Sequence, residues 1–326
     1  MRVAILVLEH SAPTGALVVW DMISMAGTAR SAAGENYSDT ACQTHIVSID
    51  GKPISYSNFM EIKPHASIDE AGAVDMIVVP SGGYRVNRLS RYPEKLKEWI
   101  VANHEKGVPV AGICTGVFLL AESGILDGKM ATTHWAFSDV FRKQFPKVLF
   151  SPEKMITKDQ GVFCSGGGSA GVDLTLFLIE TYMGEQQARR LSKMLLLERG
   201  RDDQSPYMES RFNKNHQDGY ILKAQQYIEN KIADNLAMDH VADHVGMSLR
   251  NFKRRFKAAT GEAPLAYLQK LRMEKAKIIL ERDDISINVL AEKVGYEDLG
   301  FFRKLFARHT GVSPRDYRKR FRNCES

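Results

Sequence analysis

The last third of the chain repeats itself, and this limits the fold more than any composition could. Val241-Ala242-Asp243-His244-Val245-Gly246 matches Leu290-Ala291-Glu292-Lys293-Val294-Gly295 at an offset of 49 residues. One extra residue then moves the offset to 50, and Phe252, Phe256, Thr260, Gly261, Pro264 and Tyr267 recur as Phe302, Phe306, Thr310, Gly311, Pro314 and Tyr317. Nine identities over this span specify two copies of one supersecondary unit. Each copy has the anatomy of a helix-turn-helix. A short helix ends at Gly246 or Gly295, where glycine tolerates positive φ, and a second starts near Ser248 or Asp298, both good N-caps. Phenylalanines four apart share one helical face and pack inward. The opposite face carries Arg250, Lys253, Arg254 and Lys257 in the first copy, and Arg303, Lys304 and Arg308 in the second. Between the copies, Pro264 to Arg282 reads as one long amphipathic helix. Such a stiff spacer would hold the two recognition helices about 34 Å apart, one turn of DNA.

Charge follows the same division. The chain of 326 residues has a formal net charge of +5. From His216 to Ser326 there are 21 Lys and Arg against 15 Asp and Glu, which leaves 23 against 24 for the first 215 residues. The basic excess therefore belongs to the repeated part, and points to a polyanionic partner for that part, double-stranded DNA ahead of a membrane surface. The alternative is a solvated basic face. No run of 18 apolar residues is present, so no membrane-spanning helix is expected. The apolar start Met1 to Leu8 turns polar at Glu9, too soon for a signal-peptide core. The four cysteines, Cys42, Cys114, Cys164 and Cys324, show neither CxxC spacing nor clustering with histidine. Neither a zinc site nor a disulfide framework nor another cofactor is expected, and a reducing cytoplasm is the expected location.

The first two thirds alternate β-branched runs with helical patterns. Val3 to Leu8, Ile46 to Ile49, Met76 to Val79 and Val108 to Ile113 read as buried parallel strands, with helices at Ala16 to Ala26 and Pro93 to His104. This alternation predicts a flavodoxin-like, doubly wound α/β sandwich in front of the all-α tandem helix-turn-helix region. Ligands bind at the carboxyl ends of parallel strands, so the glycine loops at Ser81-Gly82-Gly83 and Ser165-Gly166-Gly167-Gly168 are candidate pocket segments. Gly112-Ile113-Cys114-Thr115-Gly116 is the sharpest local signal. Small residues around a central side chain let the chain turn abruptly from strand to helix, and the helix N-terminus lowers a thiol's pKa. The alternative is a buried structural cysteine in a tight turn.

Val108 to Asp127, VPVAGICTGVFLLAESGILD, resembles the nucleophile-elbow segment of the DJ-1/PfpI superfamily, and GKMATTHW, Gly128 to Trp135, resembles the branch that serves as a sensory domain in regulators. Hydrolytic relatives join the cysteine to a histidine and an acid; here Thr115 stands where the peptidase-like members have His, and only Glu9 follows the first strand. The resemblance implies a ligand-binding rather than catalytic unit, with Cys114, Thr115, His134 and Trp135 as ligand-binding candidates, the alternative for His134 being a structural histidine bonded to backbone; the strand-end loop adds Gly82, Gly83 and Tyr84 as candidates. Trp20 could add an aromatic wall, although core packing is the expected role for a residue on that helix.

Phe302-Arg303-Lys304-Leu305-Phe306, followed by Thr310-Gly311-Val312-Ser313-Pro314-Arg315-Asp316-Tyr317-Arg318, resembles the signature of the AraC/XylS DNA-binding domain. That resemblance implies Leu249, Arg250, Lys253 and Arg254 as DNA contacts in the first copy, and Leu299, Gly300, Arg303, Lys304 and Arg308 in the second. Arg254 and Arg303 are the expected base readers, and Arg318, Lys319, Arg320 and Arg322 are expected to add salt-dependent affinity. The combination is similar to GlxA-type regulators. The expected organisation is a sensing and dimerisation domain over 1–197, a linker over 198–217 and a DNA-binding domain over 218–326. The expected function is transcriptional activation by a homodimer that contacts RNA polymerase and responds to an amino acid or quaternary amine. The alternative is a cysteine-dependent enzyme or redox sensor using Cys114.

Overall fold

A computed structural model describes residues 1–9, 11–29, 42–56, 60–82 and 92–322. The chain divides into two compact units, Met1–Gln204 and Ser205–Ser326. Among the described residues no helix is long and apolar enough to cross a membrane.

The first unit runs β1 (Arg2–Leu6), α1 (Pro13–Ala29), β2 (Gln43–Ser48), β3 (Ile54–Tyr56), β4 (Met60–Ile62), β5 (Ala66–Ser67), β6 (Met76–Val79), α2 (Glu94–Glu105), β7 (Val110–Ile113) and α3 (Gly116–Glu122). It continues through β8 (Met130–Ala131), α4 (Ser138–Gln144), β9 (Leu149–Phe150), β10 (Ile156–Asp159), β11 (Val162–Ser165), α5 (Ala170–Met183) and α6 (Glu185–Met194). Seven strands form one sheet in the order β10-β11-β7-β6-β1-β2-β5, parallel throughout except where β10 meets β11. The inner order β2-β1-β6-β7-β11 is the flavodoxin-like one. Strand residues alternate between two cores. Val3, Ile5, Met76, Val78, Ala111 and Ile113 face α1, α5 and α6, while Ala4, Leu6, Ile77, Val79 and Val110 face α2, α3 and α4. Both faces are therefore covered, which is why these strands read as continuous apolar runs.

The second unit runs α7 (Gly219–Asn230), α8 (Met238–His244), α9 (Leu249–Thr260), α10 (Pro264–Arg282), α11 (Ile287–Lys293), α12 (Leu299–Thr310) and α13 (Pro314–Phe321). The sequence repeat is a structural one. α8 and α11 each have seven residues, α9 and α12 twelve, and Gly246, Gly295, Gly261 and Gly311 all take positive φ after their helices. Thr260 Oγ1 donates to the Phe256 carbonyl at 2.7 Å and Thr310 Oγ1 to the Phe306 carbonyl at 2.9 Å. Tyr267 donates its hydroxyl to Glu229 at 2.8 Å, and Tyr317 to Glu281 at 2.7 Å. The long helix α10 serves two cores, Tyr267 and Leu268 packing into the first and Met273, Ala276 and Leu280 into the second.

The stretch expected as a linker is docked on both sides of the boundary. Met155 N–H donates to the Asp202 carbonyl at 3.0 Å, and Gln204 is buried in the first unit. In the second unit Phe212 packs edge-on against Tyr267 at 5.1 Å, and Asn213 donates to the Ala259 carbonyl at 3.0 Å. Hydrophobic periodicity misses this because an extended segment docks through isolated side chains, with no repeat to register.

Candidate functional site: a cavity at the strand ends and a duplicated basic helix

The turn at Cys114 exists because two glycines allow helix and sheet to touch. A Cβ on Gly116 would lie 2.3 Å from the Val79 carbonyl oxygen, and one on Gly112 would lie 2.8 Å from Leu120 Cδ1. Cys114 itself is held at φ +56°, a left-handed conformation uncommon for a residue with a side chain. Gly167 passes so close that a Cβ there would meet Cys114 Sγ at 2.6 Å.

Loops from the carboxyl ends of β1, β6, β7 and β11 enclose a cavity of about 770 Å³. Ser11, Ala12, Thr14, Gly15, Val18 and Val19 line one side, Gly168, Ser169, Gly171 and Val172 another, and Ser81, Ile113, Cys114 and His134 complete it. Cys114 is 5% exposed. Burial pushes its thiol above the ordinary value, against opposing hydrogen bonds from Ser81 and Thr115. Desolvation is the largest influence on this thiol and works against the thiolate expected from the helix N-terminus. Burial also lowers the pKa of His134. Its Nδ1 accepts from the Ala136 N–H at 3.1 Å, so the neutral ring carries its proton on Nε2.

Other expected residues fall around the cavity rather than in its wall. Thr115 is buried and its hydroxyl lies 3.1 Å from that of Ser81, which does line the cavity. Trp135 stacks on His134 at 5.4 Å, one layer back. Gly82 sits beside Thr115 and Tyr92. Gly83 and Tyr84 lie outside the described residues. Trp20, expected in the core, is 37% exposed, because α1 buries Ala16, Val19, Met22, Ile23 and Ala26, and Trp20 sits one step off that stripe. Glu9 is exposed and is not among the lining residues. Sequence reasoning missed Ser11, Thr14, Ser169 and Val172. The start of α5 just past the glycine loop was the available signal.

In the second unit the inward phenylalanines, Phe252, Phe256, Phe302 and Phe306, are fully buried. Arg250, Lys253, Arg254 and Lys257 on α9 are exposed, as are Gly300, Arg303, Lys304 and Arg308 on α12. Leu249 is exposed, whereas Leu299 packs partly on the second core. Arg254 Nη2 donates to Asn251 Oδ1 at 2.9 Å, one turn back on the same helix. The neighbouring Arg255 is committed elsewhere, paired with Asp218 at 2.8 Å and lying over the Tyr220 ring. Three of the four basic tail residues are also engaged. Arg318 Nη2 donates to the Ile285 carbonyl and Arg322 pairs with Asp284, both at 2.5 Å, and Arg320 lies over the Tyr207 ring at 5.9 Å, while Lys319 is exposed.

Comparison with known proteins gives these two arrangements a family. Residues 1–181 match the DJ-1/PfpI family, and residues 241–320 match a helix-turn-helix domain. The chain belongs to the DJ-1/PfpI family. Its DJ-1/PfpI unit is joined to an AraC-type helix-turn-helix domain, the arrangement of GlxA-type transcriptional regulators. The transcriptional regulator GbdR of Pseudomonas aeruginosa is 29% identical over 279 residues, 84% of this chain and 74% of GbdR. GlxA of Rhizobium meliloti is 28% identical over 217 residues, 66% of each chain. An isonitrile hydratase of Pseudomonas putida is 32% identical over 154 residues, 47% of this chain and 65% of that enzyme. The crystal structure of an AraC family transcriptional regulator from Pseudomonas putida superposes with a TM-score of 0.51 at 20% identity, covering 60% of this chain and 98% of that one. The last likeness concerns the fold alone.

Proposed function

We propose that this DNA-binding transcriptional regulator is controlled by an amino acid or amine derivative bound in the cavity beside Cys114 and His134. The observation that carries the reading is the cavity itself, about 770 Å³ at the carboxyl ends of the parallel strands, of a size that suits a small metabolite. Hydroxyls of Ser11, Thr14, Ser81 and Ser169 and the His134 ring supply polar contacts, while Val18, Val19, Ile113 and Val172 supply apolar ones. On the DNA side, Leu249, Arg250, Lys253 and Arg254 would enter one major groove and Leu299, Gly300, Arg303, Lys304 and Arg308 the next. In this reading a homodimer occupies promoter DNA and activates by contact with RNA polymerase. A ligand switches such a protein only by binding one arrangement more tightly than the other.

The test is a thermal-shift titration of the full chain with amino acids, betaines, carnitine-like amines and polyamines. A saturable rise in Tm with one class supports the reading, and no shift with any compound contradicts it. The isonitrile hydratase likeness motivates a second reading, in which Cys114 performs covalent chemistry. The raised thiol pKa speaks against it. Cys114→Ser should leave a binding pocket's Tm response largely intact, and should abolish any response that depends on the thiol.

A further inference from the structure

Two walls of the cavity have a second attachment, and both attachments come from the segment by which the chain leaves the first unit. The first wall is the start of α5. Arg201 Nη1 donates to Ser169 Oγ at 3.0 Å, Nη2 to the Ser169 carbonyl at 3.1 Å and Nε to Asp173 at 3.3 Å. Ser169 lines the cavity. The second wall is His134. Gln204, 3% exposed, donates from Nε2 to the Thr133 carbonyl at 2.9 Å, and its Oε1 accepts from the Trp135 N–H at 3.2 Å. These groups flank His134 on either side along the chain. The same amide nitrogen also reaches Thr132 Oγ1 at 3.1 Å and the Lys154 carbonyl at 3.0 Å. Thr133 in turn donates its hydroxyl to the Cys114 carbonyl at 2.6 Å.

A chain that only needed tethering here is already tethered by its backbone. Met155 N–H donates to the Asp202 carbonyl at 3.0 Å, and Gln204 N–H donates to the Glu153 carbonyl at 2.7 Å. The Gln204 side chain is additional, and its chemistry is specific. Its site presents acceptors to the nitrogen and a donor to the oxygen, so only a carboxamide matches both. Room is cleared for it by Gly166, where a Cβ would lie 2.7 Å from Oε1. The next residue, Ser205, begins the second unit.

We propose that Arg201 and Gln204 are positioning residues for the effector cavity, so that the path of the chain out of the first unit and the shape of the cavity are coupled. This rests on the reading of the cavity as the effector site. Coupling between two places is reciprocal: if an occupant of the cavity moves the exit segment, loosening the exit segment must alter the cavity.

The experiment reads the cavity while the exit is perturbed. The full chain is treated with iodoacetamide, and carbamidomethylation of Cys114 is followed by peptide mass spectrometry in the natural protein, Gln204→Met and Arg201→Met. Cys42, beside β2 at the other end of the sheet, reports general loosening, and Tm is recorded for each protein. The expected result is a Cys114 rate raised by about threefold or more in the variants, with the Cys42 rate unchanged. Arg201 is partly exposed, so Arg201→Met keeps the test available if Gln204→Met does not fold. Equal Cys114 rates in all three proteins, including no reaction in any, overturn the proposal, as does a Cys42 rate that rises in step. The two readings fail separately. A metabolite that shifts Tm alongside unchanged Cys114 rates leaves the effector site and removes the coupling. Raised Cys114 rates with no metabolite response leave the positioning role and remove the effector.

Discussion

Single side chains in the first unit show burial outweighing local field. Cys114 stands at a helix start, yet its thiol is pushed up, and His134 is pushed down by the same desolvation. A histidine whose folded pKa lies below the ordinary value of about 6.5 is protonated first in the unfolded chain. Its contribution to stability is therefore complete above that value and is lost as pH falls through it toward the folded pKa. Protonation also removes the Nδ1 lone pair that accepts the Ala136 N–H. Thermal melts between pH 7.5 and 5 should show Tm falling with acid, and the fall should be shallower in His134→Asn. Identical slopes would remove His134 from the account. Cys114 was legible in the sequence because glycines on both sides of a strand-to-helix turn are a local pattern. The upward push on its thiol was not legible, because burial is set by neighbours such as Gly167 that lie far away in sequence.

Helices carry the second unit, and there the sequence was legible almost to the residue. The spacer predicted over Pro264 to Arg282 has those bounds, and the second helix of each motif starts immediately after Ser248 or Asp298, although only Asp298 caps through its side chain, accepting from the Phe301 N–H at 3.0 Å. Periodic burial and glycine stops are local signals, and a duplicated sequence states them twice. The sequence did not distinguish the exposed arginines from the structural ones. Arg272, on the buried side of α10, donates to the carbonyls of Ile232 at 2.8 Å and Asp234 at 2.6 Å and lies 5.0 Å from the Tyr296 ring, tying the first motif to the second. Phe256 is fully buried against Phe252 and Tyr267. Phe256→Ala should cost about 3 to 5 kcal/mol in the second unit, measured by denaturant titration. Arg254→Ala or Arg303→Ala should instead leave stability alone and cost about 1 to 3 kcal/mol of binding at the preferred site. Lys319→Ala should weaken preferred and random duplexes alike. Equal losses on both duplexes would take the two arginines out of the set of base readers.

The whole molecule joins a sheet-based unit with a cavity at its strand ends to a helical unit with two exposed basic helices, and the boundary falls between Gln204 and Ser205. This division was half visible beforehand. Charge asymmetry and the repeat located the second unit, but the segment 198–217 lacks periodicity, and its anchors, Arg201, Gln204, Tyr207 and Phe212, act through long-range contacts that no local pattern encodes. An architecture of this kind reads a particular DNA sequence. The most direct measurement is a competition titration at fixed salt, with the full chain bound to a duplex selected from a random pool and challenged with the same duplex scrambled. A preference of about a thousandfold or more for the selected site is the predicted result. Equal competition by the two duplexes, with affinity set only by salt, would contradict the account.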